Sequence, residues 1–386
     1  MSVLSSSVLR IPERWLKRLL PYFFKYTLNR NRKGTLPPGA VFSRILVIRQ
    51  HNQLGDMLCV VPLLRALRKA FPNAQISLLA SRVNYDVMRG NIYLNDVILY
   101  DKSEFLSGGR FHLIVFWRFL RRLRGLRFEA VIVPATVSVS VTSDILAYSS
   151  GARYRVGARS LEGVENPTGF LYTVPVDLKW GSGSSRHQAL RNFDVAASLG
   201  LQTPDLSSEI TLLPHEVAAG KSFVDSIKGQ KRLCIAFHPG AGKIPNRWPA
   251  ERFSLVANIL GFEFDGAIVI TSGAFDGDPT SEMRSKLAVT YEVVAGRPIR
   301  EVAAILAECN LLISNDTGIM HVGAAVGTPV LSLFGPTDPH QWAPAGKPHR
   351  YLVGQGGDIE RITTDQVLQA GREMLREILM ESKSAS

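Results

Sequence analysis

The sequence predicts an α/β protein built from two successive doubly wound domains. Short apolar runs rich in Val and Ile alternate with helix-periodic stretches, the rhythm of a parallel sheet with crossover helices. That rhythm starts twice, at residues 45–48 and again at residues 233–237. The chain has 386 residues, 46% of them apolar, which exceeds one ordinary core and supplies two.

Residues 1–40 read as a basic arm. On a helical wheel, Trp15, Leu16, Leu19, Leu20, Tyr22, Phe23, Phe24 and Tyr26 cover one wide arc, and Arg14, Lys17, Arg18 and Lys25 the rest. This is the pattern of a helix in an anionic lipid interface; the competing reading is an arm packed on its own domain. Pro21 should kink it near Leu20. Pro37-Pro38-Gly39 reads as a linker.

The first domain is expected over residues 41–212. It opens with a strand at 45–48 and a helix at 57–70, ended by Phe71-Pro72-Asn73. A strand at 76–80 follows, then a basic segment at 117–127 and a strand at 129–134. The second domain is expected over 213–386. Its strands fall at 233–237, 267–271, 311–314 and 330–334, and its helices at 250–260, 299–307 and 319–326. A final helix covers 364–379. No short-period repeat is present.

Lys and Arg number 45 against 33 Asp and Glu, a net charge of +12, with a pI near 9.7. Such a chain favours acidic partners: nucleic acid, anionic membrane or phosphorylated substrates. Nucleic acid is disfavoured, because the basic residues are not interleaved with aromatics in a recognisable module. Cys59, Cys234 and Cys309 are scattered and form no CxxC pair. This argues against a disulfide framework and a structural zinc site, and for buried thiols in a reducing compartment. No run of about 18 apolar residues suggests a membrane span. The first residues lack the uninterrupted apolar stretch and cleavage site of a secretory signal. The expected location is the cytosol, touching a membrane.

In open α/β sheets, ligands sit at the carboxyl ends of the strands. Three loops at such ends carry candidate chemistry. Gln53-Leu54-Gly55-Asp56 follows the first strand. Asp56 is either a helix cap or a general base at an interdomain cleft. His238-Pro239-Gly240-Ala241-Gly242-Lys243, running to Asn246-Arg247-Trp248-Pro249, follows the strand at 233–237. Gly240, Ala241 and Gly242 let the backbone approach an anion, and Lys243 and Arg247 add charge. The run does not enter a helix directly, as a nicotinamide fingerprint would. Asn315-Asp316-Thr317-Gly318 follows the strand at 311–314 and opens a helix, whose N-terminus is an anion site. His321 lies one turn on, sharing a face with Thr317, and Asp316 is placed to accept polyol hydroxyls. Read without the other two loops, this one is a capped helix with a core histidine. Asp276-Gly277-Asp278 has a DxD spacing but reads as a solvated loop, so no metal is expected.

With these residues in view, the chain resembles glycosyltransferase family 9, the ADP-heptose:lipopolysaccharide heptosyltransferases, from about Arg44 to Gly346. Leu54-Gly55-Asp56 with Pro62 and Leu67 is similar to the family's N-terminal signature. Gly151-Ala152-Arg153 and Arg155-Val156-Gly157 resemble its middle segment. The most specific part is Ser314-Asn315-Asp316-Thr317-Gly318 with His321, Ala324, Gly327-Thr328-Pro329 and Phe334-Gly335-Pro336-Thr337.

The resemblance implies a GT-B fold, two Rossmann-like domains facing a central cleft, with acceptor on the first and sugar nucleotide on the second. It implies an inverting, metal-independent reaction with no cofactor beyond the nucleotide-sugar co-substrate. Asp56 would be the catalytic base and Asp316 a contact to the donor sugar. The backbone of Thr317 and Gly318, with His321, would hold the diphosphate. Asn246 stands where the family often has Lys. The acidic residue for the donor ribose falls at Asp276, with Asp278 competing. Cys59 stands where some members have His. The acceptor implied is a lipopolysaccharide core or another anionic glycan, served by a monomer. Arg118, Arg121, Arg122 and Arg124, with Arg127, form a candidate acceptor or membrane patch, or an ordinary solvated helix face. The rival readings are a sugar-nucleotide epimerase on the same fold and a non-catalytic nucleotide-sugar or lipopolysaccharide binder.

Overall fold

The structure, a computed structural model, describes residues 34–384 apart from 38, 108–109, 136, 182, 274–275 and 347. The arm's amphipathic stretch, residues 14–26, lies outside them, as does Pro38 of the linker. The first half of the chain runs β1 (Arg44–Arg49), α1 (Leu54–Leu58), α2 (Val61–Ala70), β2 (Gln75–Ala80), α3 (Arg82–Met88), β3 (Asp96–Leu99) and α4 (Lys102–Phe105). A short pair, β4 (Leu106–Ser107) and β5 (Arg110–Phe111), leads into α5 (Leu113–Gly125), β6 (Ala130–Ile132), α6 (Val141–Ser149), β7 (Tyr154–Leu161), β8 (Val164–Glu165), β9 (Val174–Leu178) and α7 (Gln188–Val195). Its main sheet has the order β3-β2-β1-β6-β7-β8, with β9 also paired to β7. All pairs are parallel except the β7–β8 hairpin.

The expected helix over 57–70 is two helices. Pro62 occupies the first turn of α2, where its missing N–H is harmless. In one continuous helix its ring would clash with the carbonyl of Leu58, so the chain breaks at Cys59 and Val60 and restarts.

The second half runs α8 (Pro214–Lys228), β10 (Leu233–His238), α9 (Ala250–Glu263), β11 (Gly266–Ser272), α10 (Gly277–Ser285), β12 (Tyr291–Ala295), α11 (Ile299–Ala307), β13 (Leu311–Asn315), α12 (Gly318–Ala325), β14 (Val330–Phe334), α13 (Pro339–Trp342), β15 (Arg350–Val353) and α14 (Thr364–Ser384). The strand order is β12-β11-β10-β13-β14-β15, parallel throughout. Leu213 is the residue that precedes α8.

Each central strand is covered on both faces, which is why it reads as an unbroken apolar run. Leu46 and Ile48 of β1 meet Phe105, Leu123 and Leu146, and Ile45 and Val47 meet Leu63, Leu64 and Leu67 of α2. In β10, Leu233, Ile235 and Phe237 pack with Trp248, Phe253 and Leu260, whereas Cys234 and Ala236 face Val302, Ile305 and Leu306 of α11. The cluster behind β1 and α2 is continuous with that around α11 and α12, so the two halves pack directly on one another.

A buried cation fastens them. Arg300 of α11 sends Nε and Nη2 to the carboxylate of Glu216 in α8, at 2.6 and 2.5 Å. Its Nη1 donates to the carbonyls of Asp86 and Arg89 at the end of α3, both at 3.0 Å, and Nη2 to the carbonyl of Thr211 at 2.9 Å. One planar fork thus spans α3, the connecting segment and α8. The Arg300 bond, first among the causes, holds the Glu216 carboxyl down from 4.5 to about 2. A folded-state value below the unfolded one gives stability that is full above about pH 4.5 and lost as pH falls toward about 2. Glu216→Gln should therefore lower Tm at neutral pH and make the fall in Tm across that acid window shallower. An unchanged acid slope would refute this role.

Candidate active site

The order of each sheet reverses beside its first strand, between β1 and β6 and between β10 and β13, the crevices where open α/β sheets take ligands. The three loops singled out from sequence leave β1, β10 and β13 at these points.

Asp56 sits in the short helix α1 and is buried, with 4% of its side chain exposed, as is its partner Arg49. Arg49 Nη2 donates to Asp56 Oδ1 at 2.5 Å, and its Nη1 donates to the carbonyl of Pro134, just past β6, at 3.1 Å. The guanidinium therefore bridges the crevice of the first sheet and fixes the carboxylate in it. Arg49 was not among the residues expected from sequence. The signal was a charge closing an otherwise apolar strand, directly before the Asp56 loop.

On the other side, Asn315 ends β13 with a fully buried amide. Its Nδ2 donates to the carbonyls of Pro239 and Gly240, at 2.9 and 3.2 Å, and its Oδ1 accepts from the Trp248 N–H at 3.1 Å. One side chain pins both ends of the 239–248 loop to the strand that carries Asp316. Asn246 Nδ2 donates to Asp316 Oδ2 at 3.2 Å and to Thr337 Oγ1 at 3.3 Å. Where the family often has Lys, the shorter Asn246 amide reaches Asp316 directly. Burial raises the Asp316 carboxyl above its ordinary value, against the opposing pull of Thr337 and Lys243. Lys243 is exposed, and Arg247 Nε donates to the Ala241 carbonyl at 2.7 Å, bracing the loop. Thr337, named from sequence in the Phe334–Thr337 run but given no role there, is a further member of this group.

Asp276 stands behind the loop. A Cβ at Gly240 would fall 2.1 Å from the Asp276 Cγ, so the glycine is required for the carboxylate to lie there. Asp276 Oδ2 accepts from the Gly273 N–H at 2.9 Å and lies 3.5 Å from His238 Nε2. His238 Nδ1 lies 3.0 Å from both the carbonyl and the hydroxyl of Thr271. Burial lowers the His238 imidazole value, with Asp276 opposing. Of the solvated loop expected at 276–278, Gly277 and Asp278 are exposed at the start of α10, but Asp276 is buried: it finds a donor in Gly273 and an imidazole beside it, and these replace water.

Thr317 caps α12, its Oγ1 accepting from the Ile319 N–H at 3.2 Å. His321 is buried one turn on, edge to face with Trp342. Burial, with His187 second, lowers its imidazole to about 4, so it is neutral near pH 7 and offers an N–H rather than a charge. The two halves meet here. A Cβ at Gly55 would lie 2.7 Å from His321 Cδ2, and one at Gly318 would lie 3.2 Å from Leu54 Cβ. The turn that carries Asp56 is thereby seated on the N-terminal end of α12. His187 Nε2, 3.0 Å from the Ala343 carbonyl, and Gln188, 3.1 Å from Gln341, join the halves beside it. Arg118, Arg121, Arg122 and Arg124 are not part of this group; they lie exposed along α5. Among the described residues, no group of three or more His, Cys, Asp or Glu is placed to hold a metal ion, and no helix is long and apolar enough to cross a membrane.

A buried carboxylate on one doubly wound domain, facing a helix N-terminus and a pinned glycine loop on another, is the arrangement of a GT-B enzyme. The profile of glycosyltransferase family 9 (heptosyltransferase) matches residues 116–363, and the chain belongs to that family. It is 27% identical over 311 residues to lipopolysaccharide heptosyltransferase 2 of Escherichia coli K12, covering 77% of this chain and 84% of that one. A match of 32% over 122 residues to lipooligosaccharide heptosyltransferase 2 of Haemophilus influenzae covers 30% of this chain and spans 34% of that relative, about a third of its length. In fold, the chain is similar to the E. coli ADP-heptose lps heptosyltransferase II, with a TM-score of 0.68 and 22% identity over 86% of this chain and 99% of that one.

Proposed function

We propose that this protein moves a heptose from ADP-heptose to a lipopolysaccharide core acceptor by direct displacement with inversion. The observation that carries the reading is the seating of the Asp56 turn on the α12 terminus, which opposes a fixed carboxylate to an anion site. The acceptor hydroxyl gives its proton to Asp56 as its oxygen bonds to the anomeric carbon. The bond from that carbon to the diphosphate oxygen breaks, and ADP leaves with the electron pair. Lys243, Arg247 and the α12 terminus stabilise the leaving charge, and the neutral His321 supplies a hydrogen bond. Asp316, with its neighbours Asn246 and Thr337, orients the sugar hydroxyls, and Asp276 lies toward the nucleoside. The backbone of Gly240, Ala241, Gly242, Thr317 and Gly318 lines the phosphate path. No metal is needed, as the resemblance implies. The 27% identity to a lipopolysaccharide heptosyltransferase supports the sugar and acceptor class, and the name of the structural neighbour supports adenine as the base. The enzyme acts as a monomer in the cytoplasm, at the membrane surface where such an acceptor is anchored.

Mass spectrometry of products from ADP-, GDP- and UDP-sugars, each with and without purified core oligosaccharide, tests this. Transfer with ADP-heptose and acceptor is expected. A new sugar formed from donor alone would favour an epimerase, and binding without turnover a non-catalytic role; either result overturns the proposal.

A further inference from the structure

Helix α5 is apolar on both sides. Its inward side is explained: Phe116 and Phe119 pack edge-on against Phe105, and Leu123 is buried. Its outward side is not. Leu113 and Ile114 are each 68% exposed and Trp117 is 54% exposed, one contiguous apolar patch on the first turns. Arg118, Arg121 and Arg122 follow on the same exposed arc, and the Arg121 guanidinium lies 4.7 Å over the Trp117 ring. From residue 110 to residue 128 there are six arginines and no acidic residue. An apolar end with a Trp at its margin, followed by cations that have no salt-bridge partner among the described residues, matches the depth profile of an anionic lipid surface: acyl chains below, phosphates above.

The position fits as well. The Leu126 carbonyl, just past α5, accepts from Arg44 Nη1 at the start of β1 at 2.9 Å, so the helix ends at the amino edge of the sheet. Its thirteen residues span about 20 Å, which brings the apolar first turns to the carboxyl edge, where Asp56 stands.

We infer that the outward face of α5 is a membrane-docking surface, inserting Leu113, Ile114 and Trp117 at the acyl boundary and resting Arg118, Arg121 and Arg122 on anionic phosphates. This deepens the proposed function, since it places the cleft mouth against the bilayer that holds the acceptor. The test uses the full chain with Ile114→Cys carrying a polarity-sensitive fluorophore; the native Cys59, Cys234 and Cys309 are buried and spared. With vesicles of phosphatidylglycerol in phosphatidylcholine, emission should rise and shift to the blue, and with phosphatidylcholine alone it should not. The same label at Phe262→Cys, on the exposed side of α9, should stay in water. Adding Arg118→Gln, Arg121→Gln and Arg122→Gln should weaken vesicle binding about 100-fold, at about fivefold per arginine. A chain that sediments with vesicles while the position-114 label stays in water would overturn the inference and assign binding to another segment. An equal response to neutral vesicles, or no sedimentation, would overturn it too. Turnover on a lipid-free core oligosaccharide is read separately: its failure would sink the transferase proposal and leave the vesicle result standing.

Discussion

Asp56→Asn should lower turnover by roughly 10²–10⁴-fold, the range a positioned general base contributes, with donor affinity nearly unchanged. The substitution keeps the shape and an oxygen for Arg49 but removes the proton acceptor. It also leaves a buried guanidinium without its counter-charge, which costs about 3–5 kcal/mol when a buried pair is broken. Titration of the variant with ADP therefore accompanies the rate: a folded variant that binds nucleotide and does not turn over isolates the base. Turnover near that of the wild type would remove Asp56 from the mechanism.

Gly55→Ala should be nearly as damaging, by a different route. Gly55 is helical and needs no special backbone angle, so its own half tolerates alanine. The new methyl would instead fall 2.7 Å from His321 Cδ2, and that ring is buried and backed by Trp342. The halves must then part by a fraction of an ångström or more, and a misplacement of about 1 Å between reacting groups costs about 100-fold. Thermal stability should hardly change. In a His321→Ala background the ring is gone, and the same alanine should cost less than about threefold, a coupling that a double-mutant cycle reads. An equal penalty in both backgrounds would show that closure at this contact is not the cause.

Much of the fold was legible because parallel strands covered on both faces carry unbroken apolar runs. The bounds of α11 and β14 follow directly from their patterns, and Gly and Pro punctuate the loops between. What was hidden is what depends on partners distant in sequence. Pro62 was visible, but the break it forces appears only with α1 seated against α12. The β3 and β12 strands are partly exposed and carry Asp96, Tyr291 and Glu292, so their apolar signal is diluted. At the site, the loops of Asp56, Gly240 and Asp316 were identifiable as glycine-rich strand ends. Arg49 was not, and Thr337 was named without a role, since each acts through a residue elsewhere in the chain. Asp276 had the composition of a solvated loop, and nothing local announces that His238 stands beside it. Leu113 and Ile114 were not singled out from sequence, and only the packing of Phe116, Phe119 and Leu123 shows which side of α5 the core takes.

The Asn315 amide has a consequence for how rigid the second half is before any ligand arrives. Because it ties the 239–248 loop to β13 within one domain, the nucleotide cradle exists whether or not the halves are together. The Asp56 turn, by contrast, is held against α12 by contacts between the halves. A ligand of the proposed donor class would therefore find a berth with little ordering entropy left to lose. An inhibitor shaped like a nucleotide would have a target already formed.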